Sequence, residues 1–204
     1  MSQDNISIIK KRADKIQKVI ALIFILGVIL FFAALIGFVV LFFASSEKFN
    51  AVRGNLDWSI NYELAKSSSF FITIPHKILP ISTSRFSAKY AGLTSLFSLL
   101  INLSFTLYGI KQVGNILKSM ANDITPFIMD NVKRLNKLAY IIIIYSVAVD
   151  ILSNLFVSIF VTKIFFLDLS NIHLSGVLVG GLILVIADIF KYGVFLQKEF
   201  DTTL

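Results

Sequence analysis

Cysteine is absent from the 204-residue sequence, and only three prolines and two histidines are present. Without thiols there are no disulfides, no thiol nucleophiles and no zinc sites built on thiolates. His76 and His173 come with no ligand spacing such as HExxH, so neither a metal nor another cofactor is expected. GxSxG and P-loop motifs are also missing, and no Ser, His and Asp set falls on one side at a common depth, so no catalytic residue is expected. Charge is scarce as well: 15% of residues are charged against 56% hydrophobic, with a mean hydropathy of +0.83. That is too little polar surface to coat a water-facing domain.

The apolar excess is organised into four blocks, 19–44, 91–110, 138–162 and 174–196. Each meets the requirement of about 20 residues for a helix across a hydrocarbon core about 30 Å thick. Helix is the expected form because a lone span in lipid must satisfy its own backbone N–H and C=O groups. The fourth block is interrupted by Asp188 and Lys191. The first, about 26 residues long, exceeds the apolar core of about 7–15 residues in a secretory signal, and is read as a retained span.

A net charge of +7 raises the possibility of nucleic-acid binding, so the placement of the charge decides. Twelve of the 19 basic residues lie before the first span (1–18), between the second and third (111–137), or at the end of the chain. By the positive-inside rule these segments, and both termini, are expected in the cytoplasm. The charge is then topogenic and attracted to anionic lipid, with no direct nucleic-acid partner. The whole chain is expected to be a single membrane domain, with a tail at 197–204.

Segment 45–90 is expected outside, as is the short loop 163–173. In "NLDWSINY", Leu56, Trp58, Ile60 and Tyr62 alternate with polar residues, and Phe70, Ile72 and Ile74 repeat the tendency before Pro75 and Pro80. Period-two alternation predicts two or three short strands, with the prolines limiting a central strand. Trp58 and Tyr62 equally suit anchors at headgroup level. The expected fold class is an all-α integral membrane protein: a four-transmembrane-helix bundle with a small extracellular β-containing cap in its first loop.

Beyond the second span, Val113, Ile116, Leu117 and Met120 recur at helical spacing, so that helix is expected to continue into the cytoplasm. Thr125 suits an N-cap and Pro126 the first helical position of the next helix, which makes a cytoplasmic elbow. Two stretches here and at the chain's end, "TPFIMDNVKRLNKLAY" and "ADIFKYGVFLQKEFDTTL", carry a likeness. Through Pro126, Phe127, Asn131, Arg134 and Leu135, then Ile189, Phe190, Gly193, Leu196, Glu199 and Asp201, they resemble the bacterial membrane-protein family known as domain of unknown function 2975. The resemblance implies a four-span inner-membrane protein without an assigned activity, often encoded beside a small helix-turn-helix regulator. Under the derived topology both stretches fall at the cytoplasmic face. Asn131 and Arg134 facing Glu199 and Asp201 would make a charge-paired surface, serving either packing or the docking of a soluble partner.

Within the spans, polar and small residues are arranged in stripes. Ser146, Asp150, Asn154 and Ser158 recur every fourth residue, matched on the second span by Ser95, Ser98, Asn102, Thr106 and Gly109. Gly27, Ala33, Ala34 and Gly37 mark the first span, and Gly176 and Gly180 the fourth. Such faces suit helix neighbours, within one chain or between copies of a homo-oligomer, and leave the rest to the lipid bilayer. Asn102 and Asp150 each lie roughly 16 Å deep by helical rise, within reach of a hydrogen bond. A lone charge at the bilayer centre costs about 2.5–3.5 kcal/mol on insertion scales, so Asp150 is expected to be neutral, partnered or wet. Asp188 is expected to pair with Lys191 one turn on.

Two roles follow: a regulatory, sensory or immunity-type membrane protein acting through the elbow, or a small proton- or cation-coupled transporter or channel subunit using Asp150. Asn102, Asp150, Asn154 and Asp188 are the intramembrane candidates. Pro126, Phe127, Asn131, Arg134, Gly193, Glu199 and Asp201 are the docking candidates.

Overall fold

The computed structural model describes residues 3–55, 57–65, 68–75, 86–122, 125–163 and 173–203, and within them all side chains except those at 3–6, 64–65, 68–75, 201 and 203. Four helices dominate: α1 (Gln3–Phe43), α2 (Ala88–Asn122), α3 (Met129–Phe156) and α4 (Leu174–Thr203). A 3-10 turn, Ser46–Lys48, leads into strands β1 (Phe49–Arg53), β2 (Asp57–Ala65) and β3 (Ser68–Pro75). Among the described residues, four helices are long and apolar enough to cross a membrane. In α1 only 6% of the most apolar window is buried. Ile23, Leu26, Ile29, Phe32 and Ile36 all lie open along it, a surface that water would not tolerate and hydrocarbon would.

The helices outrun the apolar blocks. α1 starts well before position 19 and carries the Lys18–Asp14 pair (2.7 Å) one turn apart on its exposed side, a contact of i,i+4 type that helps an otherwise charged segment stay helical. α2 continues past position 110 to Asn122, as its apolar spacing predicts. α4 runs on to Thr203, where the Thr202 hydroxyl donates to the Lys198 and Glu199 carbonyls.

The chain divides into two compact units, Met1–Ile29 with Leu103–Val147 and His173–Leu204, and Leu30–Asn102 with Ala148–Ile172. In the second unit the strands form an antiparallel sheet in the order β1-β2-β3. The alternation legible in β2 has a direct consequence: Trp58, Ile60 and Tyr62 turn inward, and Ser59 and Glu63 do not. Trp58 is 1% exposed, stacked on the Phe86 ring at 4.4 Å, and clustered with Ile60, Ala91, Val157 and Val161. Tyr62 meets Phe49 across the β1–β2 pair, ring centroids 4.8 Å apart, over Leu41, Leu93 and Leu96. These aromatics are therefore core residues of a cap and not headgroup anchors, because burial against helix side chains leaves them no contact with an interface. At the β1–β2 turn a Cβ on Gly54 would lie 2.6 Å from the Asp57 carboxylate and 3.2 Å from its carbonyl oxygen, so a larger residue there would have to shift the Asp57 side chain. Lys89 donates to the Ala44 carbonyl at 2.7 Å, satisfying a carbonyl just past the end of α1.

α3 does not stay α-helical to position 162. It widens into a π-helical turn, Val157–Thr162, which ends at Lys163 with φ 55°. The wider turn buries Val157, Ser158, Val161 and Thr162, and Val161 joins the Trp58 cluster.

In the first unit the helices touch in chain order. Gly27 of α1 meets Leu107 of α2, Gly109 of α2 meets Leu138 of α3, and Phe105 stacks edge-on with Tyr145 at 5.6 Å. α4 presses its glycines onto α3: a Cβ at Gly176 would overlap the Ser146 hydroxyl, and one at Gly180 would lie 3.0 Å from the Ala139 carbonyl. The G-x-x-x-G face thus packs inside one chain. Gly181 points at open space, with nothing within 4 Å of an added Cβ.

Candidate functional site

The elbow is built from polar side chains that the backbone turn brings together. Expected to begin at Pro126 behind a Thr125 cap, α3 begins instead at Met129. The Thr125 hydroxyl does accept the Phe127 N–H at 3.1 Å, but the Pro126 carbonyl turns to the Ile128 N–H at 3.0 Å, and the Ile128 carbonyl takes the Asn131 and Val132 N–H groups. The helix starts later because Phe127 is drawn aside. Its ring sits on Gly193, where a Cβ would come within 2.6 Å, and 5.2 Å from the Phe190 ring. The two sequence motifs therefore meet through Phe127, Phe190 and Gly193.

Asn131 is the centre of the elbow and is 0% exposed. Its amide nitrogen donates to the Ser119 hydroxyl (3.2 Å) and to the Pro126 carbonyl (3.0 Å), while its oxygen accepts from Arg134 Nη1 at 2.9 Å. The same Nη1 donates to the Asn115 carbonyl at 3.2 Å. A primary amide alone supplies two donors and an acceptor in this reach. Asn131→Ala should cost about 1–3 kcal/mol, because it strips bonds from a buried site. Denaturation of the detergent-solubilised chain, followed by its helical circular dichroism, measures that cost.

Arg134 is thereby held over a polar groove of about 450 Å³ lined by Asn115, Lys118, Ser119, Asn122, Ile128 and Asp130. Asp130 faces Lys133 at 3.8 Å, with both side chains exposed, and such a pair contributes little. The charge pairing expected between Arg134 and Glu199 does not form: among the described side chains, the guanidinium bonds go to the neutral Asn131 and Asn115. Asn131, one turn before Arg134 on the same helix and buried, puts its amide oxygen within 2.9 Å of the guanidinium. Glu199 is exposed, and the side chain of Asp201 lies outside the described ones. Ser119, a partner of Asn131, escaped the sequence reading, although Asn115, Ser119 and Asn122 form a polar row at helical spacing.

Of the span candidates, Asn102, Asp150 and Asn154 belong to the second unit and Asp188 to the first. In the second unit Asn102 Nδ2 donates to the Ser98 carbonyl at 2.7 Å, and the Ser98 and Ser153 hydroxyls share a bond of 3.0 Å. Asp150 is half-buried, and Asn154, one turn on, has its amide nitrogen buried with no acceptor among the described residues. Ser158 is buried, and its carbonyl accepts the Thr162 hydroxyl at 3.1 Å in the π-helical turn. Asp188 belongs to the first unit and is exposed on α4 beside the fully buried Ala187. It forms no ion pair with Lys191, contrary to expectation, and both side chains lie exposed. Backbone N–H groups of Gly176 and Val177 close on the His173 carbonyl at the start of α4, so this histidine sits at a helix N-terminus, while His76 lies outside the described residues. Among the described residues, no three His, Cys, Asp or Glu side chains converge.

The family described as "Protein of unknown function (DUF2975)" matches over residues 71–204, a stretch that takes in α2, α3, α4 and both motifs. No curated protein and no solved structure matches the chain.

Proposed function

Because the chain belongs to the DUF2975 family, whose function is unknown, its role has to be read from its own side chains, and we propose a four-span bundle of the bacterial cell membrane that docks a soluble partner at its elbow. In this reading the protein has no catalytic role. Both termini and the elbow are cytoplasmic and the cap is outside, in keeping with twelve of 19 basic residues on the elbow side. The observation that carries the reading is the buried Asn131, which fixes Arg134 over an open polar groove beside Lys118. A guanidinium held in place loses little freedom on binding and suits a carboxylate on the partner. The signal sensed by the cap and bundle would reach that partner through α2 and α3, the helices that flank the elbow in sequence.

The resemblance of the two motifs makes a small helix-turn-helix regulator encoded beside the gene the first partner to test. Its affinity for the full-length chain in detergent is expected to fall at least tenfold in Arg134→Gln, while Lys10→Gln leaves it unchanged. Affinity unaltered in Arg134→Gln sinks the docking reading. A second reading is kept for one observation, the buried Asn154 amide that finds no acceptor among the described residues one turn from Asp150: a proton- or cation-coupled transporter or channel subunit working through Asp150. Ion flux into reconstituted vesicles that Asp150→Asn abolishes would favour it over docking.

A further inference from the structure

A second groove in the first unit, about 390 Å³ between α1 and α2, has a different character from the elbow. Ile20, Ala21 and Phe24 from α1 and Ile110 from α2 give it an apolar lining, and Gln17, Lys111 and Lys118 give it a polar, basic one. Ile20, Phe24 and Ile110 fall in the apolar blocks 19–44 and 91–110, and Lys111 and Lys118 fall just beyond the second block. Lys111 and Lys118 are seven residues apart, two helical turns, so they stand on one face about 10 Å from each other. Both are exposed, and among the described residues neither makes an ion pair.

We propose that this groove binds one anionic phospholipid, its phosphate between Lys111 and Lys118 and an acyl chain along Ile20, Phe24 and Ile110. The occupant follows from the two kinds of lining. Walls within a span meet hydrocarbon, so an acyl chain fills them without displacing water, and a peptide would leave backbone groups unsatisfied there. Two ammonium groups at the headgroup level then select a net-anionic head over a zwitterionic one, whose own cation offsets its phosphate, as basic pockets between spans do. Lys118 also borders the elbow groove, so a bound lipid would sit beside the docking surface; the lipid site stands independently of any partner there.

Native mass spectrometry of the full-length chain in a neutral detergent tests the site, with phosphatidylglycerol, phosphatidylcholine and glycerol 3-phosphate as probes. Phosphatidylglycerol adducts are expected on the unmodified chain, with affinity falling about thirtyfold in Lys111→Gln/Lys118→Gln, the factor two lysines supply near an anionic head. Lys111→Arg/Lys118→Arg should keep the adducts, and Ala21→Trp, which fills the groove from its apolar lining, should lose them with both lysines in place. Phosphatidylcholine bound as tightly, glycerol 3-phosphate bound as tightly, or an equal loss in Lys10→Gln/Lys11→Gln would each overturn the proposal. The first would mean no charge selection, the second an anion site without a lipid, and the third attraction to the surface charge as a whole.

Discussion

Trp58→Ala is expected to unfold the cap while leaving the helices largely formed. The indole is 1% exposed, lies flat against Phe86, and is the largest member of the cluster that joins β2 to Ala91 and to Val157 and Val161 of the π-helical turn. Truncation of a buried aromatic removes its transfer energy and leaves a cavity, about 3–5 kcal/mol together. A sheet of three short strands has few other anchors, so most of that cost falls on the sheet. Amide exchange in β2 should rise by orders of magnitude, with α4 unaffected. Trp58 is also the only tryptophan, so fluorescence of the unmodified chain reads the cap directly: short-wavelength emission and weak acrylamide quenching are expected. Unchanged exchange in Trp58→Ala would mean that the cap is held elsewhere.

Gly180→Leu and Gly181→Leu should differ sharply although the positions are adjacent. A side chain at Gly180 runs into Ile143 and into the Ala139 backbone, and a carbonyl in a helix cannot step aside as a flexible side chain can. The helices must separate, at a cost of about 3 kcal/mol or more, the upper end of overpacking. At Gly181 nothing lies within 4 Å, and leucine gains helix propensity worth up to about 1 kcal/mol over glycine. Denaturation in mixed micelles, followed by helical circular dichroism, should therefore shift in opposite directions for the two variants. Equal shifts would show that the α3–α4 contact is not what the glycines serve.

The four long helices and β2 were legible because each rests on a single dominant pattern: apolar runs of the length and composition of a membrane-crossing helix, and a strict alternation through Trp58, Ile60 and Tyr62. β1 was not, since Val52 is 64% exposed and breaks any alternation with Phe49 and Ala51. Pairing with β2, a tertiary effect, is what makes "FNAVR" a strand. The start of α3 was misplaced for a related reason. Thr125 and Pro126 read locally as a helix start, but Phe127 packs onto Gly193 about sixty residues away, and no local signal carries that contact. The motif residues Asn131 and Arg134 were found by resemblance, yet their partners were not, because a salt bridge to Glu199 is the obvious pairing on paper. The bonds to Ser119 and to the Asn115 and Pro126 carbonyls depend on how deeply the turn buries the amide. The direction of the glycine face belongs to the same class, since packing within a chain and between chains asks for the same small residues.

The account depends most on a chain that passes four times through a bilayer with its cap and its elbow on opposite sides. The sequence has no cysteine to interfere, so single cysteines can be placed at Glu63 in the cap and at Asn122 in the elbow, both exposed. A membrane-impermeant maleimide added to intact spheroplasts should label Glu63→Cys at once and Asn122→Cys only after the membrane is opened. Labelling of both, or of neither, before the membrane is opened would contradict the topology and the functional reading built on it.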